Sequence, residues 1–331
     1  MQERPSLAWR VAASVLTLTL SWSGCVSARE EPAGTKDSTE KSRSSALPAP
    51  ESYDEFAGDA PHRLEWRYPR FSEAQLGLSL TQSAAGLALE LGLPLADSGW
   101  RRGILFDDQA RKLLVARSHA GRTRAAHLSD MAWYSTMAFS VFDSALTPLL
   151  GDSGNTDVAL QLTLIDWQAF GFAFLLTRIP HKALGRGRPS LEGCKHDPHY
   201  EPACNPANPG RTASAFSGHS SMSFTAASLV CMHHIHLELY GDPALDYGIC
   251  GLALASAGTV GALRIVADKH WTSDVLVGTG VGLLSGLGVP YLFHYSQPAE
   301  ADADLDPAPV QVAVAPVLDR DSVGVGARGF F

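Results

Sequence analysis

The sequence lacks several features that would point to common classes of protein. Charged residues make up only 18% of its 331 residues, the net charge is −8, and no basic run stands out. Such a chain offers little to the phosphate backbone of nucleic acid, so no nucleic-acid partner is expected. Its five cysteines include no Cys-x-x-Cys pair, so no structural zinc site is predicted. The longer apolar stretches also lack the alternation typical of half-buried strands, which favours helices.

The first 25 residues have the pattern of an export signal. Arg4 and Arg10 are followed by the short apolar run 11–22. Two small residues, Ser23 and Gly24, then precede Cys25. The run is too short for a comfortable membrane span. Small residues before a cysteine are typical of a bacterial lipoprotein box, in which Cys25 would carry the lipid. An ordinary cleaved signal and an uncleaved anchor are the alternatives.

Composition divides the chain into five parts. They are the signal 1–25, a disordered linker 26–62, an N-terminal helical region 63–129, a catalytic bundle 130–296 and a C-terminal tail 297–331. The linker is rich in Glu, Ser, Lys, Pro and Ala and has too few large apolar residues to fold. The tail alternates apolar and polar residues around 319–322, which predicts a small hairpin to which no function is assigned.

The bundle is predicted from its helical pattern. The expected helices are Ser72–Leu93, Asp107–Arg117, Asp130–Leu150, Asp157–Arg178, Ser217–Leu239, Tyr247–Ala267 and Thr272–Tyr295. Short loops make antiparallel neighbours, so the predicted fold class is an all-α antiparallel helical bundle. The uncharged stretch 275–292 is nearly long enough to span a bilayer, and Gly278, Gly282 and Gly286 permit close helix packing. We therefore expect the bundle to be embedded in a membrane, although the same glycine spacing also serves soluble bundles.

Three polar clusters stand out against this apolar background. The first, 178–189, has three basic residues within seven positions, Lys182, Arg186 and Arg188. The second is Ala-Phe-Ser-Gly-His, ending at His219, and the third, 264–274, lies at the turn between the last two helices. Because the helices alternate in direction, all three clusters are predicted to meet at one end of the bundle.

The side chains in these clusters suit phosphoryl transfer. Arg188 and Arg264 can bind phosphate oxygens with bidentate geometry, and the backbone N–H groups near Ser217 and Gly218 open a helix. His270 can attack phosphorus and His219 can protonate the departing alkoxide. Asp274 is expected to accept a hydrogen bond from the ring of His270 and so fix its tautomer. No metal or cofactor is expected, since the arginines supply the positive charge.

In this order the clusters resemble the signature of the type 2 phosphatidic acid phosphatase and vanadium haloperoxidase superfamily. The resemblance covers about residues 130–295 and implies a bundle of that family's type. It implies His270 as nucleophile, Asp274 as its orienting partner and His219 as the acid. It also implies a phosphate cradle made of Lys182, Arg188, Ser217, Gly218 and Arg264.

The sequence departs from the family pattern at three places. The family lysine falls on His181, with Lys182 adjacent; we assign Lys182 to the cradle and hold His181 as its substitute. A shift of one residue on a helix turns a side chain by about 100°. Phe216 replaces the usual proline and Leu263 the usual serine, which leaves a divergent enzyme as an alternative.

The predicted function is metal-independent hydrolysis of a phosphate monoester or pyrophosphate, lipid-linked, through a phosphohistidine. The expected partners are a phosphorylated lipid or small phosphate ester and a membrane, with the site facing the periplasm in the cell envelope. The alternatives are a soluble exported acid phosphatase, a vanadate-dependent haloperoxidase and a non-catalytic anion-binding scaffold. The basic residues before Asp130 have no role in this scheme.

The remaining polar and thiol groups receive structural interpretations. Cys194 and Cys204 share one polar loop and are predicted to form a disulfide after export. Cys231 and Cys250 lie in apolar stretches and are predicted to be plain core residues. The histidines at 233, 234 and 236 are interpreted as a solvated helix end rather than a metal site.

Overall fold

A computed structural model describes residues 63–297 and the strands 311–319 and 322–330. The predicted signal, Cys25 and the linker 26–62 lie outside the described residues. The α-helices of the described part are α1 (Glu73–Gly92), α2 (Asp107–Leu114), α3 (His119–Gly151), α4 (Thr156–Leu184), α5 (Ser190–Cys194), α6 (Gly218–Leu237), α7 (Pro243–Val266) and α8 (Thr272–Leu283). Helix α8 continues as the π-helical turns Leu284–Gly288 and Tyr291–Tyr295, and the 3-10 turns Pro202–Cys204 and Pro209–Thr212 separate α5 from α6.

Helix α6 lies at the centre of the bundle. It packs against α3, α4, α7 and α8, and α1 packs on the outside of α4. Its buried residues include serines and a threonine on several faces as well as Leu229 and Val230. A helix that is buried all round is a core element, and its neighbours form an all-α bundle around it. The predicted fold class is confirmed.

Helix α3 begins earlier than the sequence predicts. Ser118 caps it by accepting a hydrogen bond from the backbone N–H of Gly121, so the helix starts at His119 and runs across the predicted boundary between residues 129 and 130. The extra turns carry Arg122, which is buried in an ion pair with Glu201 (3.2 Å) and lies 3.7 Å from the ring centroid of Tyr200. Apolar periodicity cannot detect a helical turn that buries a charge.

A row of glycines brings α8 directly against the backbone of α6: Gly278, Gly282 and Gly286. A Cβ atom at Gly278 would lie 2.5 Å from the carbonyl oxygen of Ser217, and one at Gly282 would lie 2.4 Å from that of Ser221. These separations are too short for any side chain. The close packing predicted from the glycine spacing is therefore present.

Helices α4, α7 and α8 with its π-helical extension are long and apolar enough to cross a membrane, by length and composition, in the described part of the chain. Large apolar side chains are exposed along the outer surfaces of the bundle: Leu76, Leu80 and Leu87 on α1, Met131 and Phe142 on α3, Leu252 on α7, and Leu276, Leu284 and Leu292 on α8 and its extension. A surface of this kind suits contact with lipid better than contact with water.

Two disulfides are present in the described residues. Cys194 and Cys204 are bonded, as predicted. Cys231 and Cys250 are also bonded, so the prediction that they are plain core residues is wrong. They face each other because α6 and α7 are antiparallel and joined by a short loop, and each cysteine lies a similar distance along its helix from that loop. Hydropathy alone gives no information on this pairing.

The tail forms the hairpin that its alternation predicts. Strand β1 (Gln311–Asp319) pairs antiparallel with β2 (Ser322–Phe330), and Asp319 lies opposite Ser322.

Candidate active site

The three polar clusters meet at one end of the bundle, around a cavity of about 410 Å³. The cavity is lined by Ala126, His127, Asp130, Arg188, Pro202, Ala203, Asn208, Gly210, His219, Arg264 and Lys269. Arg188 follows α4, His219 is in the first turn of α6 and Arg264 is in the last turn of α7. The predicted convergence of these three residues is present. The loop closed by the first disulfide supplies part of the wall, through Pro202 and Ala203.

His270 lies almost fully buried in the turn between α7 and α8, with 4% of its surface exposed. Its Nδ1 is 2.8 Å from the carbonyl oxygen of Ser214. A carbonyl oxygen only accepts, so Nδ1 carries the hydrogen and Nε2 keeps its lone pair. Burial, and then the nearby charges of Arg188 and Arg264, hold the pKa of His270 well below its usual value. The ring is therefore a neutral imidazole with a free Nε2.

Asp274 does not accept the hydrogen bond from the ring of His270 that the sequence predicts. Its Oδ2 accepts a hydrogen bond from the hydroxyl of Ser214 (2.6 Å), and its Oδ1 accepts one from Nη1 of Arg186 (2.7 Å). Ser214 lies between the carboxylate and the ring, because its backbone carbonyl already occupies Nδ1 of His270. The predicted direct bond is corrected to a chain that runs from Asp274 through Ser214 to His270.

His219 is paired with a residue that the sequence reasoning did not assign to the site. Its Nε2 lies 2.9 Å from Oδ1 of Asp130, and Nη1 of Arg264 donates to the same oxygen at 2.9 Å. The ring of Trp133 lies beside the imidazole, 4.9 Å between centroids. Burial lowers the pKa of His219, and the bond to Asp130 opposes that shift. The hydrogen bond from His219 is the main cause that lowers the pKa of Asp130.

The two arginines give the cavity its positive charge. Nε of Arg188 donates to the carbonyl oxygen of Gly210 at 2.7 Å, and its Nη1 donates to that of Lys269 at 3.4 Å. Burial, and then the charge of Arg264, lower the pKa of Arg188 to about 10, so it stays protonated at neutral pH. Two partly desolvated guanidiniums that repel each other are stabilised by an anion between them.

Ser217 and Gly218 have structural roles at the start of α6. The hydroxyl of Ser217 caps the helix by accepting from the N–H of Ser220 (3.3 Å), and its own N–H donates to the carbonyl oxygen of Asp274 (3.0 Å). Gly218 begins the helix, so its N–H and that of His219 belong to the first turn, where helical amides have no partner within the helix. At this helix start, the backbone N–H groups rather than the Ser217 hydroxyl are able to bind an anion.

Lys182 lies outside the cavity. Its Nζ donates to the carbonyl oxygen of Glu90 on α1 (2.9 Å) and lies 3.4 Å from the carboxylate of that residue. His181, one helical step away, points to the site end instead, with Nδ1 2.7 Å from the carbonyl oxygen of Ala215. The assignment of Lys182 to the phosphate cradle is therefore corrected, while the role of His181 as its substitute stays a prediction.

Arg186 is the second residue that the sequence reasoning left without a role. It is 1% exposed and bridges Asp107 and Asp274, each at 2.7 Å. In the sequence it is one of three basic residues within seven positions, and its partner Asp107 lies far away in the sequence, on α2.

The histidines near the end of α6 form buried pairs at the opposite end of the bundle. His233 bonds to Asp166 (2.8 Å), and His234 bonds to both Asp143 (2.7 Å) and Asp246 (2.6 Å). The interpretation of this helix end as solvated is wrong for these two. Within the described residues no group of three or more metal-ligating side chains is arranged to hold a metal ion.

Comparison with known proteins relates one segment of this chain to a family. Residues 169–298 match the family model of the PAP2 superfamily, in agreement with the resemblance of the three polar clusters. A lipid A 1-phosphatase of Porphyromonas gingivalis is 41% identical over 78 residues, 23% of this chain and 16% of that protein. The crystal structure of a transmembrane PAP2-type phosphatidylglycerolphosphate phosphatase from Bacillus subtilis superimposes with a TM-score of 0.42 and 18% identity, over 66% of this chain and 94% of that one. The chain thus matches less than a fifth of the length of its curated relative.

Proposed function

We propose that this chain, with its PAP2 superfamily segment at residues 169–298, is a metal-independent phosphatase that acts on a lipid-linked phosphate through a phosphohistidine. One observation carries the proposal. A neutral, buried His270 lies within reach of the charges of Arg188, Arg264 and His219, and these three residues line the cavity. Nucleophile, anion site and acid are the groups that phosphoryl transfer requires.

In the first step, Nε2 of His270 attacks phosphorus and the bond from phosphorus to the leaving oxygen breaks. Arg188, Arg264 and the first N–H groups of α6 stabilise the charge on the three equatorial oxygens. His219 gives its proton to the leaving oxygen, so the product is a neutral alcohol, or a phosphate if the substrate is a pyrophosphate. The Nδ1–H of His270 stays on the carbonyl oxygen of Ser214 and stabilises the ring as it becomes cationic.

In the second step, a water molecule replaces the alcohol. His219, now neutral, takes a proton from this water, and the oxygen attacks phosphorus while the bond to Nε2 of His270 breaks. Inorganic phosphate leaves, and both histidines return to their starting states. The positive charge comes from arginines throughout, so the scheme calls for no metal.

A lipid substrate is supported by the surface of the bundle around the site. The cavity opens at the end of helices that carry exposed leucines, and three of these helices are long and apolar enough to span a bilayer. A phosphate headgroup at the membrane surface would then meet the cavity while its acyl chains stay in the bilayer. The relative from P. gingivalis is named for a lipid phosphate, which makes this substrate class the first to test.

Location in an oxidising compartment is supported by the two disulfides. Cytosolic thiols are kept reduced, whereas disulfides persist in the periplasm and on cell surfaces. One of the bonds closes the loop that forms a cavity wall, Cys194–Cys204. We therefore place the active site on the periplasmic side.

The test is release of inorganic phosphate from a panel of lipid phosphates and a chromogenic monoester, in the presence of EDTA. We expect wild-type turnover that His270→Ala abolishes, while the exposed His199→Ala keeps it. With a radiolabelled phosphate ester, a phosphoprotein that is stable to base and labile to acid is expected in the wild type and absent in His270→Ala. Undiminished hydrolysis by His270→Ala would overturn the proposal.

A further inference from the structure

Residues 101–117, which we call the α2 segment, expose unusually large apolar side chains at the site end of the molecule. Leu105 and Leu113 are each 83% exposed, and Ile104, Phe106 and Leu114 are also exposed. Large apolar side chains this exposed and this close together mark a binding surface. Nothing in the proposed phosphatase chemistry uses them.

Unpaired cations lie among these apolar side chains. Arg101 and Arg111 are neutralised by Asp97 and Asp268. Three further basic residues of the segment are exposed and have no carboxylate partner among the residues that the structure describes: Arg102, Lys112 and Arg117. A surface that combines apolar tips with unpaired cations is complementary to a bilayer that carries anionic headgroups.

The segment is attached where two candidate membrane spans meet. The N–H of Ala116 donates to the carbonyl oxygen of Val266, the last residue of α7 (3.0 Å). Arg111 holds Asp268 in the next turn at 2.7 Å. Helix α8 begins at Thr272, so both spans end directly beneath the segment. If α7 and α8 cross the bilayer, the α2 segment lies at the boundary between lipid and water.

Buried bonds hold the segment rigidly in this position. The side chain of Asp107 accepts from the N–H of Ile104 (2.9 Å), the N–H of Ser273 (2.8 Å) and the hydroxyl of Ser273 (2.7 Å). Its Oδ2 also accepts from Arg186 at 2.7 Å. Between these anchors Leu105 has a φ of +52°, a left-handed conformation that is unfavourable for a residue other than glycine. The surroundings fix this turn with its leucine directed outward.

We infer that the α2 segment binds the surface of an anionic phospholipid bilayer. Leu105 and Leu113 enter the acyl boundary, and the three unpaired cations bind headgroup phosphates. The segment is bonded to Asp268 and Ser273, which lie on either side of His270. Its binding to the bilayer therefore positions the turn that contains His270 at the membrane surface. Three of the basic residues before Asp130, which have no place in the catalytic scheme, thereby acquire a role: Arg102, Lys112 and Arg117. The inference rests on the proposed membrane embedding, not on phosphate hydrolysis.

Thiol accessibility tests the inference directly. Four of the five cysteines are in disulfides, so labelling of the unsubstituted protein reports Cys25 alone and can be subtracted. Leu113→Cys places a thiol on the proposed membrane face. Asp108→Cys is the matched control, since it is exposed on the same helix about 140° around the axis. Each full-length variant is placed in nanodiscs, whose two bilayer faces are both open, and treated with a polar maleimide.

In nanodiscs with phosphatidylglycerol, we expect Leu113→Cys to react at least ten-fold more slowly than in detergent, and Asp108→Cys to react at similar rates in both. Adding Arg102→Ser, Lys112→Ser and Arg117→Ser is expected to restore the reactivity of Leu113→Cys. Equal reactivity of the two thiols in anionic nanodiscs would overturn the inference. So would protection that is the same in pure phosphatidylcholine and unaffected by the three serine substitutions. Labelling needs no turnover, so the result is independent of the phosphatase proposal.

Discussion

Nε2 of His219 lies 2.9 Å from the carboxylate of Asp130. This pair joins helices α3 and α6 at the cavity, and it gives the proposed acid a negatively charged neighbour. The same carboxylate oxygen accepts a hydrogen bond from Arg264, so Asp130 is bonded both to the proposed acid and to one arginine of the proposed anion site. A phosphate that enters the cavity must compete with Asp130 for both partners, and Asp130 is exposed enough to swing away.

The pair predicts a change in pH dependence for Asp130→Asn. The carboxylate raises the pKa of His219 against the effect of burial, so its loss lowers that pKa further. An acid works only while protonated, and its activity disappears as the pH rises through its pKa. The high-pH limb of kcat/KM should therefore move to lower pH in Asp130→Asn, measured with a lipid phosphate. Asp157→Asn, at the other end of the bundle, is the control; an unmoved limb would contradict the pairing.

Substitution of the acid itself should depend on the leaving group. His219→Ala is expected to lower kcat for an alkyl phosphate by about 10²–10⁴-fold, the usual contribution of general acid catalysis. The loss should be much smaller for p-nitrophenyl phosphate, because nitrophenolate leaves without a proton. Steady-state rates on the two esters measure the difference. Equal losses on both would mean that His219 acts in some other way.

The chain from Asp274 through Ser214 predicts strong coupling between these two residues. Ser214→Ala removes the hydroxyl that binds Asp274 but keeps the carbonyl that binds His270. If Asp274 acts through Ser214, the double variant with Asp274→Ala should lose no more kcat than the worse single variant. A double-mutant cycle on kcat measures this. Additive losses would show that Asp274 acts on the site by another route.

Arg188 and Lys182 should differ sharply despite their closeness in sequence. Arg188 lines the cavity, so Arg188→Ala is expected to lower kcat about 10²–10³-fold, as for other residues that stabilise transition-state charge. Lys182 is bonded to Glu90 outside the cavity, so Lys182→Ala should keep kcat within about two-fold and show its effect on stability instead. Kinetics and thermal unfolding of both variants check this. A large loss of kcat in Lys182→Ala would show that Lys182 contributes to phosphate binding after all.

The buried disulfide predicts a contribution to stability rather than to chemistry. Replacing both Cys231 and Cys250 with alanine should lower the free energy of unfolding by about 2–4 kcal/mol and leave KM unchanged. Unfolding is followed by the loss of helical signal with temperature, in detergent. Wild-type protein treated with a reductant is the control. A variant as stable as the wild type would show that these thiols are not bonded in solution.

The sequence is informative where one residue type is tied to one pattern. The helical pattern, the glycine row and the order of the polar clusters predict the bundle and the meeting of Arg188, His219 and Arg264 at one end. Hydrogen bonds between side chains far apart in the sequence cannot be predicted from a local sequence pattern. Asp130 follows unremarkable residues on α3, and only the packing of α3 on α6 brings it to His219. The cradle role of Lys182 and the direct bond from Asp274 to His270 were mispredicted for the same reason, since helical rotation decides the first and the intervening Ser214 the second.

The glycine row on α8 has a consequence for how the site tolerates change. Gly278 lies against the carbonyl of Ser217, the residue that caps α6 two positions before His219, and Asp274 lies one turn earlier on α8. Each glycine fits one carbonyl, so the two helices can neither slide nor rotate past each other without a collision. These contacts therefore permit only one register of α8 against α6, and that register sets the distance between His219 and the turn that holds His270. Insertions or deletions upstream of α6 can be absorbed in the loops, whereas one residue added between Asp274 and Gly278 would dismantle the site while leaving its side chains unchanged.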